Sequence, residues 1–184
     1  MTSTPDRVDE LLAAWQAELP EVLGPASELT KRVLLLAGRL DAATRAVLPE
    51  LGLTVAAFDV LVTLRRAGDP YRMRSNELTH ALMMSTGGTS NVINRLAADG
   101  LVHRDPDPDD GRSTLIRLTP EGVALAERAV LVNTAAHNEV FADLTPETIA
   151  TATAALRAIP VPPLPPLDPR PAQSARSRRP GARS

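Results

Sequence analysis

Apolar residues recur mostly at helical spacing along this chain, and proline and glycine interrupt the pattern at a few points. Val8, Leu11, Leu12, Trp15 and Leu19 fall at i, i+3, i+4, i+7 and i+11, which predicts a helix from Arg7 to Leu19 closed by Pro20 and Gly24-Pro25. A longer helix is predicted from Ser27 to Leu48, with Leu29, Val33, Leu36, Leu40 and Val47 on one stripe. Leu34 and Leu35 widen that stripe, as expected of a helix buried on more than one side. Thr54 is a good N-cap for a third helix reaching about Ala67, with Val55, Phe58, Leu61, Val62 and Leu64 apolar. Gly68-Asp69-Pro70 reads as a turn.

From Met73 to Thr119 the elements become short. Tyr71 to Met73 reads as a brief strand, and Ser75 as a cap for a helix over Asn76 to Met84. Ser85 or Thr86 caps the next helix, which runs to Asp99 and ends on Gly100. Leu101 to Asp105 and Ser113 to Leu118 read as antiparallel strands around the turn-rich segment Pro106 to Arg112. Thr119-Pro120-Glu121 combines an N-cap, a proline at the first helical position and an acid in the first turn. The helix it starts is predicted to reach Asp143, roughly 36 Å at about 1.5 Å per residue. Thr145-Pro146-Glu147 repeats the signal for a last helix ending near Ile159. Proline, arginine, serine and alanine dominate from Pro160, which predicts a disordered tail.

The order helix, helix, strand, charged turn, strand is that of a winged helix-turn-helix, which lays one helix in the DNA major groove and a hairpin beside it. The predicted class is therefore mainly α with a small β-hairpin. Four regions follow: N-terminal helices over 1–53, assigned to dimerisation and a possible ligand pocket; the winged module over 54–119; C-terminal dimerisation helices over 120–159; and the tail over 160–184.

Within Thr86–Asp99, Thr89, Ile93, Leu96 and Ala97 point inward, while Gly87, Ser90, Asn91, Asn94 and Arg95 point outward. The outward set is small or hydrogen-bonding and carries one charge, which suits contact with base edges and phosphates. An ordinary solvated surface helix would look similar when taken alone. The glycines at 87 and 88 cost helix propensity of roughly 1 kcal/mol each, and close approach of a phosphate to the helix start would justify that cost. The predicted DNA-binding set is Ser85, Thr86, Gly87, Ser90, Asn91, Asn94, Arg95 and, on the wing, Arg112. The wing holds Asp105, Asp107, Asp109 and Asp110, so it is not a basic patch. A single arginine at a hairpin tip still suits a narrow minor groove, and Asp110 is placed to orient Arg112.

Composition narrows the options. The chain has 184 residues, no cysteine and 2% aromatic residues. The core must therefore be aliphatic, and disulfides, thiolate metal sites and thiol redox sensing are excluded. The absence of an 18-residue apolar run or a signal segment predicts a cytoplasmic protein with no membrane partner. A net charge of −2 argues against indiscriminate polyanion binding, but it is unevenly spread. Residues 1–59 carry −4, 60–119 carry +1, 120–159 carry −3 and 160–184 carry +4. His80, His103 and His137 are too scattered for a metal motif, and no nucleophile elbow or phosphate loop occurs, so neither an enzyme nor a cofactor is expected. The competing assignment is a winged module that contacts proteins without DNA.

Residues 27–159 resemble the MarR family of transcriptional regulators. The resemblance rests on Asn76-Glu77-Leu78, Asn94-Arg95-Leu96 through Gly100-Leu101-Val102, Asp110-Gly111-Arg112-Ser113 and Leu118-Thr119-Pro120-Glu121-Gly122. It implies a homodimer with interlocking terminal helices, two winged modules on palindromic double-stranded DNA, and repression relieved by a small ligand. A narrower likeness is to the PecS/HucR-like, urate-responsive branch, through Ala14-Trp15-Gln16, Phe58-Asp59-Val60-Leu61 and Gly100 to Arg104. By that match Trp15, Asp59 and Arg104 would line a pocket for a small anion such as urate. Val92 stands where the branch carries an arginine, which points to a different anion or to weaker binding. From the residues alone, Trp15 also reads as core packing. Asp59, on an apolar helical face, needs a partner if buried; Arg104 is the candidate, either as a fixed salt bridge or as one that a ligand anion displaces.

Overall fold

The structure is a computed structural model that describes residues 5–108 and 113–160. The helices are α1 (Arg7–Glu18), α2 (Ser27–Val47), α3 (Val55–Arg66), α4 (Ser75–Leu82), α5 (Thr86–Ala98), α6 (Pro120–Val140) and α7 (Pro146–Arg157). The strands are β1 (Arg72–Arg74), β2 (Val102–Pro106) and β3 (Thr114–Leu118), and 3₁₀ turns cover Pro20–Val22 and Leu48–Leu51. Among the described residues no single helix is long and apolar enough to cross a membrane. The described residues divide into two compact units, one formed by 5–58 with 127–153, the other by 59–108 and 113–126 with 154–160.

Local capping chemistry sets most helix starts. The Asp6 carboxylate accepts from the amides of Val8 and Asp9, and Asp9 returns the bond to the Asp6 amide, closing a capping box on α1. Thr54, Ser85 and Thr145 accept the amides of Ala57, Gly88 and Thr148 through their hydroxyls. Ser75 does not act as the cap predicted for it. It is already helical, because Glu77 reaches back 3.0 Å to the Arg74 amide and starts α4 one residue earlier. Gly100, at φ +71, ends α5 in the left-handed region as expected.

In the helical unit, α1 and α2 are joined by Arg32, whose guanidinium binds Asp6, Asp9 and Glu28. Thr44 on α2 is buried and holds Asn133 and His137 of α6, each at 2.8 Å. The stripe on α2 departs from expectation: Thr44 is the buried residue of the helix, Leu36, Leu40 and Val47 are half-buried, and Leu29, Val33, Leu34 and Leu35 are exposed. Among the described residues, nothing in this unit covers them. On α1 only Val8 is buried, and Trp15 is 44% exposed. Its sequence reading as a core residue is therefore not met among the described residues.

The other unit is packed differently. Val60, Leu61, Leu64, Leu78, Ile93, Leu96, Val102, Ile116 and Leu118 are all at most 3% exposed. Each such aliphatic side chain contributes about 1.5–3 kcal/mol. The sheet is antiparallel in the order β1-β3-β2, with Met73 opposite Ile116 and Val102 opposite Leu118. The Thr119 hydroxyl accepts the Gly122 amide at 2.9 Å and donates to the Gly100 carbonyl at 2.8 Å, tying the start of α6 to the end of α5. This junction demands glycine at 122, where a Cβ would stand 2.0 Å from the Leu101 carbonyl oxygen.

Candidate nucleic-acid interface

The two helices before the wing are joined by a three-residue step, Met83 to Ser85. Met83 takes the left-handed conformation, at φ +52, and caps α4. Ser85 then opens α5, its hydroxyl 3.1 Å from the Gly88 amide. Thr89, Ile93 and Leu96 are buried, with exposures of 1%, 0% and 2%, and Thr89 returns its hydroxyl to the Ser85 carbonyl. With that face fixed inward, Gly87, Asn91, Asn94 and Arg95 are exposed and Ser90 is half-buried. Asn91, Val92, Asn94, Arg95 and Ala98 line a shallow open depression of about 470 Å³. Ser85 and Thr86 are exposed at the start of the helix. All seven helix residues predicted to meet DNA thus lie in one region at the surface of α5.

The hairpin of β2 and β3 is held by cross-strand charge. Arg117 meets Asp105 at 2.9 Å. Asp107, just past β2, is 4% exposed and accepts from Arg74 of β1 at 2.6 Å. A buried carboxylate needs such a cation, so this pair anchors the base of the wing turn to the far edge strand. The sequence reading missed it, treating Asp107 as one of several solvated turn acids. The only signal was the arginine-methionine-arginine strand, whose partner lies 33 residues away. Arg112 and its proposed support Asp110 lie outside the described residues.

The three proposed ligand residues fall on different elements. Trp15 is exposed on α1, Asp59 on α3 and Arg104 on β2. The suggested Asp59–Arg104 ion pair is not formed. Asp59 keeps enough solvent to do without a partner, and partial desolvation pushes its carboxyl above the ordinary value. Its helix is apolar on the buried side, and Asp59 lies off that side between Phe58 and Val60, which are 9% and 0% exposed. Among the described residues no three histidine, cysteine, aspartate or glutamate side chains gather as a metal site.

Comparison with known proteins places these features. The profile of the MarR family matches residues 51–113. The HTH-type transcriptional regulator PecS of Dickeya dadantii (strain 3937) is 35% identical over 130 residues, 67% of this chain and 74% of PecS. Among solved structures, a point mutant of MarR from E. coli in complex with operator DNA superposes with a TM-score of 0.61 at 28% identity, covering 78% of this chain and 96% of that one. BpsR of Bordetella bronchiseptica, whose DNA binding is regulated by 6-hydroxynicotinic acid, gives 0.60 at 27% identity, covering 74% and 95%.

Proposed function

The chain belongs to the MarR family, and from that premise we propose that it is a homodimeric, sequence-specific DNA-binding transcription regulator, a repressor released by a small anionic ligand. The observation that carries this is the outer face of α5: four exposed residues, two amides, a glycine and one arginine, on a helix whose opposite face is locked into the core. In this reading Ser85, Thr86, Gly87 and Ser90 meet the phosphates at the helix start, and Asn91, Asn94 and Arg95 reach into the major groove. Arg112, steadied by Asp110, enters the neighbouring minor groove. Solved relatives support the assignment, since one of them was captured on operator DNA.

The dimer is supported by the helical unit. Leu29, Val33, Leu34, Leu35 and Leu131 are 43–71% exposed, an apolar surface that a second copy would cover. A two-fold pair of such units would present two α5 helices to a palindromic operator. The ligand reading draws on Trp15, Asp59 and Arg104 as pocket residues and on BpsR, which responds to an aromatic acid. Because Arg104 is not engaged by Asp59, an arriving anion would bind an available guanidinium without displacing a salt bridge.

Footprinting on DNA flanking the protein's own coding region, with gel-shift titration at several salt concentrations, tests the reading. Expected is a protected palindrome whose affinity falls steeply with salt as counterions are released, and which urate or another aromatic acid weakens. Arg112→Ala is expected to lower affinity while leaving the dimer intact in sedimentation. A flat salt response with no protected site would transfer the winged module to protein contacts.

A further inference from the structure

The outer side of α5 has a layout that a merely solvated helix does not need. At 3.6 residues per turn, Gly87, Asn91, Asn94, Arg95 and Ala98 share one side. The amides sit in the middle, and the residues at the two ends carry no more than a methyl group. Gly87 is the informative position. It is exposed, its φ is not left-handed, and a Cβ added there would meet nothing within 4 Å. Gly88 differs: its added Cβ would come within 3.1 Å of the Ser85 hydroxyl that caps the helix. The chain's own packing therefore gives a reason for Gly88 and none for Gly87. A glycine that weakens a helix and that no neighbour requires leaves room for a molecule that approaches the backbone closely.

The chemistry at the centre of this face identifies what it reads. A carboxamide presents an acceptor and a donor side by side. The major-groove edge of adenine presents the complement, an N7 acceptor and an N6 donor, whereas guanine presents two acceptors. Asn91 and Asn94 are separated by about 4.5 Å along the helix, close to the roughly 3.4 Å between base pairs. We propose that Asn91 and Asn94 read adenines on two neighbouring base pairs of each half-site, and that the bare Gly87 admits the duplex to the first turn. The proposal rests on the regulator reading and specifies its sequence preference.

Selection of the full chain against random duplexes, followed by titration on the enriched duplex, tests it. The enriched half-site is expected to hold two adjacent A·T pairs, each losing roughly 5- to 150-fold in affinity on change to G·C. Asn91→Ala and Asn94→Ala should each flatten the preference at one of the two pairs to within about twofold, with melting temperatures unchanged because both side chains are exposed. An enriched site without adjacent A·T pairs, or two variants that keep the parental preference at both, overturns the adenine assignment and leaves the regulator intact. A folded chain that enriches no sequence overturns the regulator reading and the adenine assignment together.

Discussion

The two units of this chain use the same aliphatic residues in opposite ways. The unit built on α4, α5 and the sheet buries them: Leu61, Leu64, Leu78 and Ile93 are fully inaccessible. The helical unit displays them, with Leu34 at 61% and Leu131 at 71% exposed. Among the described residues, one unit closes over an inaccessible aliphatic core, whereas the other leaves large apolar side chains exposed. The winged module thus carries its own buried aliphatic core. In the proposed dimer the helical body would draw part of its stability from association, and a ligand that favours one arrangement of the pair would shift its population.

The strongest way to break this contrast is to charge the displayed surface. Leu34→Asp is expected to abolish the proposed dimer, in which each copy would bury a leucine worth at most about 1.5–3 kcal/mol. Sedimentation should show a monomer whose winged unit still melts cooperatively; an unchanged dimer would place Leu34 outside the interface. The converse experiment attacks the reader alone. Gly122→Ala forces a Cβ to 2.0 Å from a backbone oxygen, and overpacking of this kind costs about 1–3 kcal/mol or more. Urea denaturation followed by circular dichroism should show a lower midpoint, whereas a wild-type midpoint would mean that α6 can shift away from Leu101.

A third substitution separates stability from reading on a single helix. Gly87→Ala should raise stability by up to about 1 kcal/mol and weaken operator binding, since the methyl group meets nothing within the chain. Gain or no change in affinity would show that DNA does not approach that turn.

Acid should act on the helical body through Asp6. The hydrogen bond from Arg32, then that from the Asp9 amide, lowers the Asp6 pKa below the ordinary 3.8. A depressed carboxylate contributes stability that is fully present above its unfolded value and is lost as pH falls through the folded one. Fluorescence of Trp15 on α1 should therefore change below about pH 4, and Arg32→Gln should remove that step. The smallest effect is expected at Asp59, whose carboxyl is raised by desolvation. A raised acid disfavours the folded state once it ionises, so Asp59→Asn should be neutral or slightly stabilising at pH 7, with the difference vanishing below about pH 4. A clear loss of stability would reveal a partner for Asp59 and return it to the ion-pair reading.

Much of the α5 surface was legible in advance because it depends on local rules. The Ser85 hydroxyl, the left-handed Gly100 and the inward spacing of Thr89, Ile93 and Leu96 operate within one or two turns. Once those positions are placed inside, helical geometry puts Asn91, Asn94 and Arg95 outside. The wing was less legible. Asp107 looked like its neighbouring turn acids until Arg74 was brought beside it from the other edge of the sheet. The Leu118 to Gly122 run was visible as a pattern, but the approach of Leu101 that makes glycine obligatory at 122 was not.

The sequence by itself therefore determined the order of the elements, most of their caps and the inner and outer faces of the reading helix, because each follows from contacts a few residues apart. Tertiary structure alone decided three matters: that Asp59 faces solvent without Arg104, that Arg74 serves a buried wing carboxylate, and that Leu29, Val33, Leu34 and Leu35 of α2 are exposed. Each depends on which distant surfaces meet. Periodicity records that a face is apolar, but it does not record whether the same chain or another supplies the cover.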